Sequence, residues 1–392
     1  MKRIYIFTGK GGVGKSSIAA AHAVKSAEEG RKTLLVSTDM AHNLGDIFER
    51  KLGKDVVNVL PGLDAYEIDP EYVMENDFSA VMSYLASLLP ETEEEGAQGI
   101  GMIPGMEELF SLLKIADIYH RADYERIIVD CAPTGETLSL LKFPELLAWY
   151  MEKFFPVGKV AVRILSPISK AAFQVEMPNK NAMNEIERMF LKLVELQELL
   201  KDRAVTSVRI VTTPEKMVVE ETKRSYMYLN LYNFNVDGIY INRILPTDLD
   251  NDFFAQWIAI QKEYTACIRE SFAALPICEI PWYDEELKGE RAIRRIVDEV
   301  LSDKEVFAVQ NITERECFEK TEDGYQLKVF LPYAEKEAVD LYQAATDLVI
   351  RTGNFKRSIP LPNVLRSYTV TGARFEEGIL RIQFGEGSDS DE

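Results

Sequence analysis

The chain has 392 residues, 46% of them apolar, with a formal net charge of −19. That length exceeds what one hydrophobic core usually serves, so a large domain and a smaller one are expected. The charge excludes a general nucleic-acid binder, which needs clustered Lys and Arg, and excludes docking on an anionic membrane through the bulk surface.

The run Ile4 to Thr8 reads as a first strand leading directly into a glycine loop, not as a secretory leader. No stretch approaches the roughly 18 apolar residues needed to span a bilayer. A helix is expected from Ser16 to Glu29, capped by Gly30. Thr33 to Thr38 is the next strand, and Asp39 stands at its end. Arg126 to Val129, Ser207 to Thr213 and Val236 to Asn242 are further strands. Alternation of strand and helix to about residue 300 predicts an α/β fold with a mostly parallel sheet. Asp39, Asp130 and Asn242 all fall at strand ends, where such sheets bind ligands.

Two helical insertions interrupt this pattern, at about 72–118 and 144–202. The last helix of the second, Asn181 to Asp202, places Ile186, Met189, Phe190, Leu193, Leu196 and Leu200 on one face. Together the insertions read as a helical subdomain on an ATPase-like domain spanning 1–303. After it the texture changes to short alternating strands, Tyr325 to Leu331, Leu348 to Arg351 and Gly378 to Phe384. These predict an all-β sandwich domain over 304–385, then a disordered acidic tail at 386–392. Cys131, Cys267, Cys278 and Cys317 lie far apart, which suits a reducing cytoplasm and no disulfide framework.

Gly9-Lys10-Gly11-Gly12-Val13-Gly14-Lys15-Ser16 fits the phosphate-binding pattern G-x-x-x-x-G-K-[ST], set between a strand and a helix. Glycines let backbone N–H groups curl around phosphate oxygens, and the helix N-terminus adds its dipole. The pattern calls for ATP and Mg²⁺, with Lys15 on the β- and γ-phosphates, Ser16 on the metal, and Ser17 among the nucleotide contacts.

Three further segments narrow the class. Ser37-Thr38-Asp39-Met40-Ala41-His42-Asn43-Leu44-Gly45-Asp46 resembles the first switch of the arsenical pump-driving ATPase family, which also contains the tail-anchored membrane protein targeting ATPases. Asp130-Cys131-Ala132-Pro133-Thr134-Gly135-Glu136-Thr137-Leu138 resembles its second switch, and Gly101 to Glu108 its G-x-x-P-G-x-x-E segment. The resemblance covers about residues 1–300. It implies that Lys10, the extra lysine of a deviant loop, reaches across a homodimer to the partner's nucleotide, much as an arginine finger does. It also implies that Asp39 orients the attacking water, with Asp46 and Asp130 beside Ser16 holding Mg²⁺ largely through water. Gly135 would report the γ-phosphate, Asn242 and Pro281 would flank the adenine, and Glu215 would sit near the loop lysines.

Departures narrow what carries over. Met40 replaces a proline, Glu136 stands where the eukaryotic targeting factor has His, and no C-x-x-C follows Asn242 to Pro246. A structural zinc clasp is therefore not expected. Two partners stay open: a metalloid efflux pump, or a hydrophobic transmembrane-helix client and its membrane receptor. Met151, Phe154, Phe155, Ile164, Phe173, Met177, Met183, Met189 and Phe190 would suit such a client, because methionines and aromatics repack around varied helices. Ala373 to Leu380 resembles the A-x-x-x-x-G-x-L signature of α-crystallin/small heat-shock domains, over about 324–384.

Overall fold

The computed structural model describes residues 2–39, 43–79, 106–132, 185–249, 251–308, 316–322, 324–344, 347–353, 355–365 and 367–386. It divides into two compact units: residues 1–140, 195–225 and 234–312 in one, and 141–194, 226–233 and 313–392 in the other.

The first unit is built on an eight-stranded sheet. Its strands are β1 (Arg3–Thr8), β2 (Thr33–Ser37), β3 (Val57–Leu60), β4 (Leu63–Glu67), β5 (Arg126–Asp130), β6 (Thr206–Thr212), β7 (Val236–Ile244) and β8 (Ile277–Pro281). Their order is β3-β4-β2-β5-β1-β6-β7-β8, and every pairing is parallel except that of edge strand β3 with β4. Strands β1, β2 and β6 are buried along their whole length, which is why they read as continuous β-branched runs rather than alternating ones. The β3–β4 pair escapes such a reading, because β3 is short and half solvated and is joined to β4 across Pro61-Gly62.

The helices are α1 (Lys15–Glu28), α2 (Asn43–Phe48), α3 (Pro70–Asp77), α4 (Met106–Arg121), α5 (Glu185–Lys201), α6 (Lys216–Leu231), α7 (Asp252–Ser271) and α8 (Gly289–Ile296), with residues 185–194 of α5 and 226–231 of α6 falling in the second unit. The helix over 15–28 starts one residue before the sequence expectation and ends one residue sooner, with Gly30 following at φ 76°. Helix α3 has a full N-terminal signature, Asp69 accepting from the Tyr72 N–H at 3.0 Å and Pro70 opening the first turn. The core joins Phe7, Leu35 and Val211 of the sheet to Ile18 of α1 and to Ile293 and Ile296 of α8.

Among the described residues the second unit holds seven antiparallel strands. Strands β9 (Glu316–Thr321), β10 (Gly324–Phe330), β14 (Tyr368–Glu376) and β15 (Ile379–Glu386) make a four-stranded sheet ordered β14-β15-β10-β9. Strands β11 (Val339–Ala344), β12 (Asp347–Thr352) and β13 (Phe355–Pro360) make a three-stranded one. Leu327, Val329, Leu348, Ile350, Ile382 and Phe384 are the buried side of this sandwich. Sequence patterning points to three of the seven strands. The long β14 eludes it because its residues alternate between half-buried and exposed, with no fully buried face.

Candidate functional site

The glycine loop runs from the end of β1 to the start of α1, as its pattern requires. Two of its glycines are sterically obligatory. At Gly9 an added Cβ would sit 2.2 Å from the Val211 carbonyl oxygen, and at Gly14, with φ 90°, 2.3 Å from Asn242 Nδ2. Asn242 on β7 is buried and braces the loop: its Nδ2 donates to the Val13 carbonyl at 2.8 Å, and its Oδ1 accepts from the Arg243 N–H at 2.9 Å. The nearly buried Lys15 donates from Nζ to the Lys10 carbonyl at 3.4 Å.

A cavity of about 320 Å³ opens over this loop. Gly12, Gly14, Lys15, Ser16 and Ser17 line one part of it, and Asp39, Asp46 and Ile47 another. The rest is walled by Arg243, Glu286, Leu287 and Lys288. Asp39 follows β2, and its N–H donates to Ser37 Oγ at 3.1 Å; Asp46 lies in the first turn of α2. Sequence and fold thus bring the loop, both first-switch acids and the strand ends to one edge of the sheet.

Asp130 ends β5 fully buried, and neither carboxylate oxygen has a well-formed hydrogen-bond partner. Burial pushes its carboxyl up to about 7; the Ser16 hydroxyl and Lys15 ammonium oppose that rise, and the charge of Asp39 adds to it. A buried, unsatisfied acid beside the Ser16 hydroxyl and the charge of Asp39 fits a hard cation. No three His, Cys, Asp or Glu side chains converge on one point among the described residues. A magnesium ion here would therefore keep most of its waters, with Ser16, Asp46 and Asp130 as the protein's oxygen donors.

Other expected residues stand apart. Lys10 does not line the cavity; its Nζ lies 3.7 Å from the Glu221 carboxylate on α6. Glu215 accepts from the Thr213 hydroxyl at 3.1 Å, and the acid paired with Lys10 is Glu221. Pro281 ends β8 and is not part of the cavity wall. Gly135, Met40, Glu136, Gly101 to Gly105 and the run Met151 to Met183 lie outside the described residues, as do the side chains of Met189 and Phe190. Sequence reasoning missed Arg243, although it adjoins Asn242. It also missed Glu286 to Lys288, which carry no motif and are brought to the loop by the fold alone.

Among known proteins the chain resembles two family models: residues 2–302 match one described as anion-transporting ATPase, and residues 322–384 one described as an HSP20-like domain found in ArsA. A putative arsenical pump-driving ATPase of Chlorobaculum tepidum is 34% identical over 387 residues, covering 97% of this chain and 96% of that protein. The ATPase get3 of Pyrenophora tritici-repentis is 31% identical over 311 residues, 74% of this chain and 89% of that one. ATPase GET3B of Arabidopsis thaliana is 31% identical over 324 residues, 76% and 78% of the two chains.

Proposed function

This chain belongs to the anion-transporting ArsA ATPase family, and from that premise we propose that it works as a magnesium-dependent, nucleotide-switched homodimer that binds and hands over hydrophobic, membrane-protein-like clients. ATP hydrolysis itself comes with the family. In this reading the loop N–H groups and Lys15 hold the β- and γ-phosphates, and Ser17 adds a contact nearer the sugar. Ser16, Asp46 and Asp130 would hold magnesium, whose charge offsets that of the phosphates when it is bound. Asp39 orients the water that attacks the γ-phosphorus, and bond breaking leaves ADP and phosphate. Phosphoryl transfer asks the protein for positioning and charge compensation rather than covalent work.

The observation that carries the dimer is the direction of Lys10. It belongs to the glycine loop yet sits outside its own cavity, on a surface carboxylate. A lysine so placed serves a second copy's nucleotide better than its own. The client reading draws support from the HSP20-like match at 322–384. Phe253, Trp257 and Ile260, exposed at i, i+4 and i+7 of α7, add an apolar face. The four free cysteines support a reducing, cytoplasmic setting.

A second reading, the motor of an arsenite or antimonite pump, has the description of the Chlorobaculum protein in its favour. The thiols weigh against it. Metalloids take thiolates, whereas burial pushes the Cys131 thiol up to about 12 and raises that of Cys278. Steady-state ATP hydrolysis with Mg²⁺ separates the two, measured alone, with arsenite, and with a solubilised transmembrane-helix peptide. ATP-dependent peptide capture with indifference to arsenite supports the client carrier. Arsenite stimulation lost on replacing the cysteines would overturn it.

A further inference from the structure

We propose that Arg243 is the residue that holds the nucleobase, its guanidinium lying on the purine face opposite the apolar wall made by Leu287. The proposal rests on the reading of the cavity as a nucleotide site and deepens it.

The backbone at Arg243 is unusual in two ways. Along the β7–β8 ladder Ile241 pairs with Glu279 and Ile244 with Pro281, so β7 carries one extra residue, a bulge at Asn242-Arg243. Bulges re-aim a side chain and cluster beside functional sites. Arg243 also has φ 61°, the left-handed region that costs a non-glycine residue free energy. This conformation is held by the hydrogen bond from its N–H to Asn242 Oδ1, the same amide that braces the glycine loop. The strained residue is thus tied to the loop and turned into the cavity wall.

The chemistry of that wall selects the ligand. The phosphate end is defined by Lys15, Ser16, Asp39 and Asp46, which leaves Arg243 and the segment 286–288 for the rest of a nucleotide. Among the described residues the Arg243 side chain makes no hydrogen bond or ion pair, so its guanidinium is available to a ligand. Leu287 packs on the hydrophobic core and gives a firm apolar surface. Its segment is fixed by Arg295 of α8, which pairs with Asp284 at 2.6 Å and Glu285 at 3.4 Å and stands over the Tyr283 ring. A planar cation and an apolar wall are the surfaces on which an aromatic base stacks, and a larger purine gains more than a pyrimidine.

The test measures equilibrium affinity of the full chain for Mg-ATP, Mg-CTP and tripolyphosphate, which has the phosphates without the base. Arg243→Gly suits the left-handed backbone, so it removes the side chain without adding strain. The expected result is a loss of roughly tenfold for ATP, a smaller loss for CTP, and no change for tripolyphosphate. Arg243→Lys keeps the charge but not the plane, and should lose ATP affinity nearly as far. An equal loss for all three ligands would make Arg243 a phosphate contact and overturn the proposal, as would unchanged ATP affinity. Lys15→Ala should lose all three. If wild-type protein binds neither ATP nor tripolyphosphate, the nucleotide reading itself fails, and that outcome is distinct from a failure confined to Arg243.

Discussion

Lys10 Nζ and the Glu221 carboxylate lie 3.7 Å apart, each side chain about a third exposed. For Lys10 to reach another copy's nucleotide this contact must open. An exposed pair of this kind is worth at most about 1 kcal/mol and is screened by salt, so it is a light latch. Glu221→Gln should lower the protein concentration at half-maximal ATP turnover by about twofold to fivefold, and the difference should vanish in high salt. Lys10→Ala should keep ATP affinity and lose turnover by on the order of 10³. Turnover that ignores the loss of Lys10 would remove it from the dimer mechanism.

Asn242 connects a strand to the loop that it braces, so its removal should act on nucleotide affinity and on stability together. Asn242→Ala leaves the buried Val13 carbonyl without its donor, at a cost of about 1–3 kcal/mol. Asn242→Asp should be worse, because a carboxylate oxygen would face that carbonyl. Gly14→Ala drives a methyl group into the same amide, so the pair Gly14→Ala/Asn242→Ala should lose less than the sum of the singles. Denaturant melts and ATP binding on the four proteins measure this coupling. Additive losses would mean that the contact does not position the loop.

Which parts of this site could be read from residues alone follows from how far each contact reaches along the chain. The loop, β1 and α1 are contiguous, so glycines, a buried strand and a helix start announce one another. Asp39 and Asp130 were legible because a buried parallel strand ends visibly, and ligands gather at such ends. The Asn242 brace was not, since it spans 229 residues and depends on the register of β6 and β7. Lys10's partner is not legible either, because Glu215 precedes α6 and Glu221 lies within it, and only the packing of that helix decides which acid meets the lysine. Nothing in Glu286-Leu287-Lys288 as a string marks a cavity wall.

Asp130 sets function against stability. Its carboxyl is raised from 3.8 to about 7 in the fold, chiefly by burial. The folded state therefore binds this proton more tightly than the unfolded chain. The stabilisation is complete below about pH 4 and is lost as pH rises through 7. Above that the buried charge costs on the order of 4 kcal/mol at most in metal-free protein. Asp130→Asn should melt higher than wild type at pH 8 without metal, with the gap closing toward pH 4. Added Mg²⁺ and ATP should stabilise wild type and not the variant, which should also lose turnover. A variant no more stable than wild type at pH 8 would show that Asp130 is not strained by burial.

The first unit also contains a buried ion pair that no catalytic role requires. Arg209 Nε lies 3.3 Å from Asp237 Oδ1, both side chains almost wholly buried, and Nη2 donates to the Val306 carbonyl. The guanidinium stands 4.6 Å from the Tyr5 ring centroid, and its charge joins burial in holding His22 well below the usual imidazole range. Yet Arg209 Nη1 and Asp237 Oδ2 find no partner, so the pair is incompletely satisfied. Such a pair adds little net stability, while removing one member strands the other charge, at about 3–5 kcal/mol. Asp237→Ala should accordingly lower the unfolding free energy by that amount. The double variant Arg209→Met/Asp237→Leu should recover most of it, because two apolar side chains need no partners. Denaturant melts at pH 7.5 decide the matter. A double variant as unstable as the single would mean that Arg209 stabilises the unit through Val306 and the aromatic ring rather than through its charge.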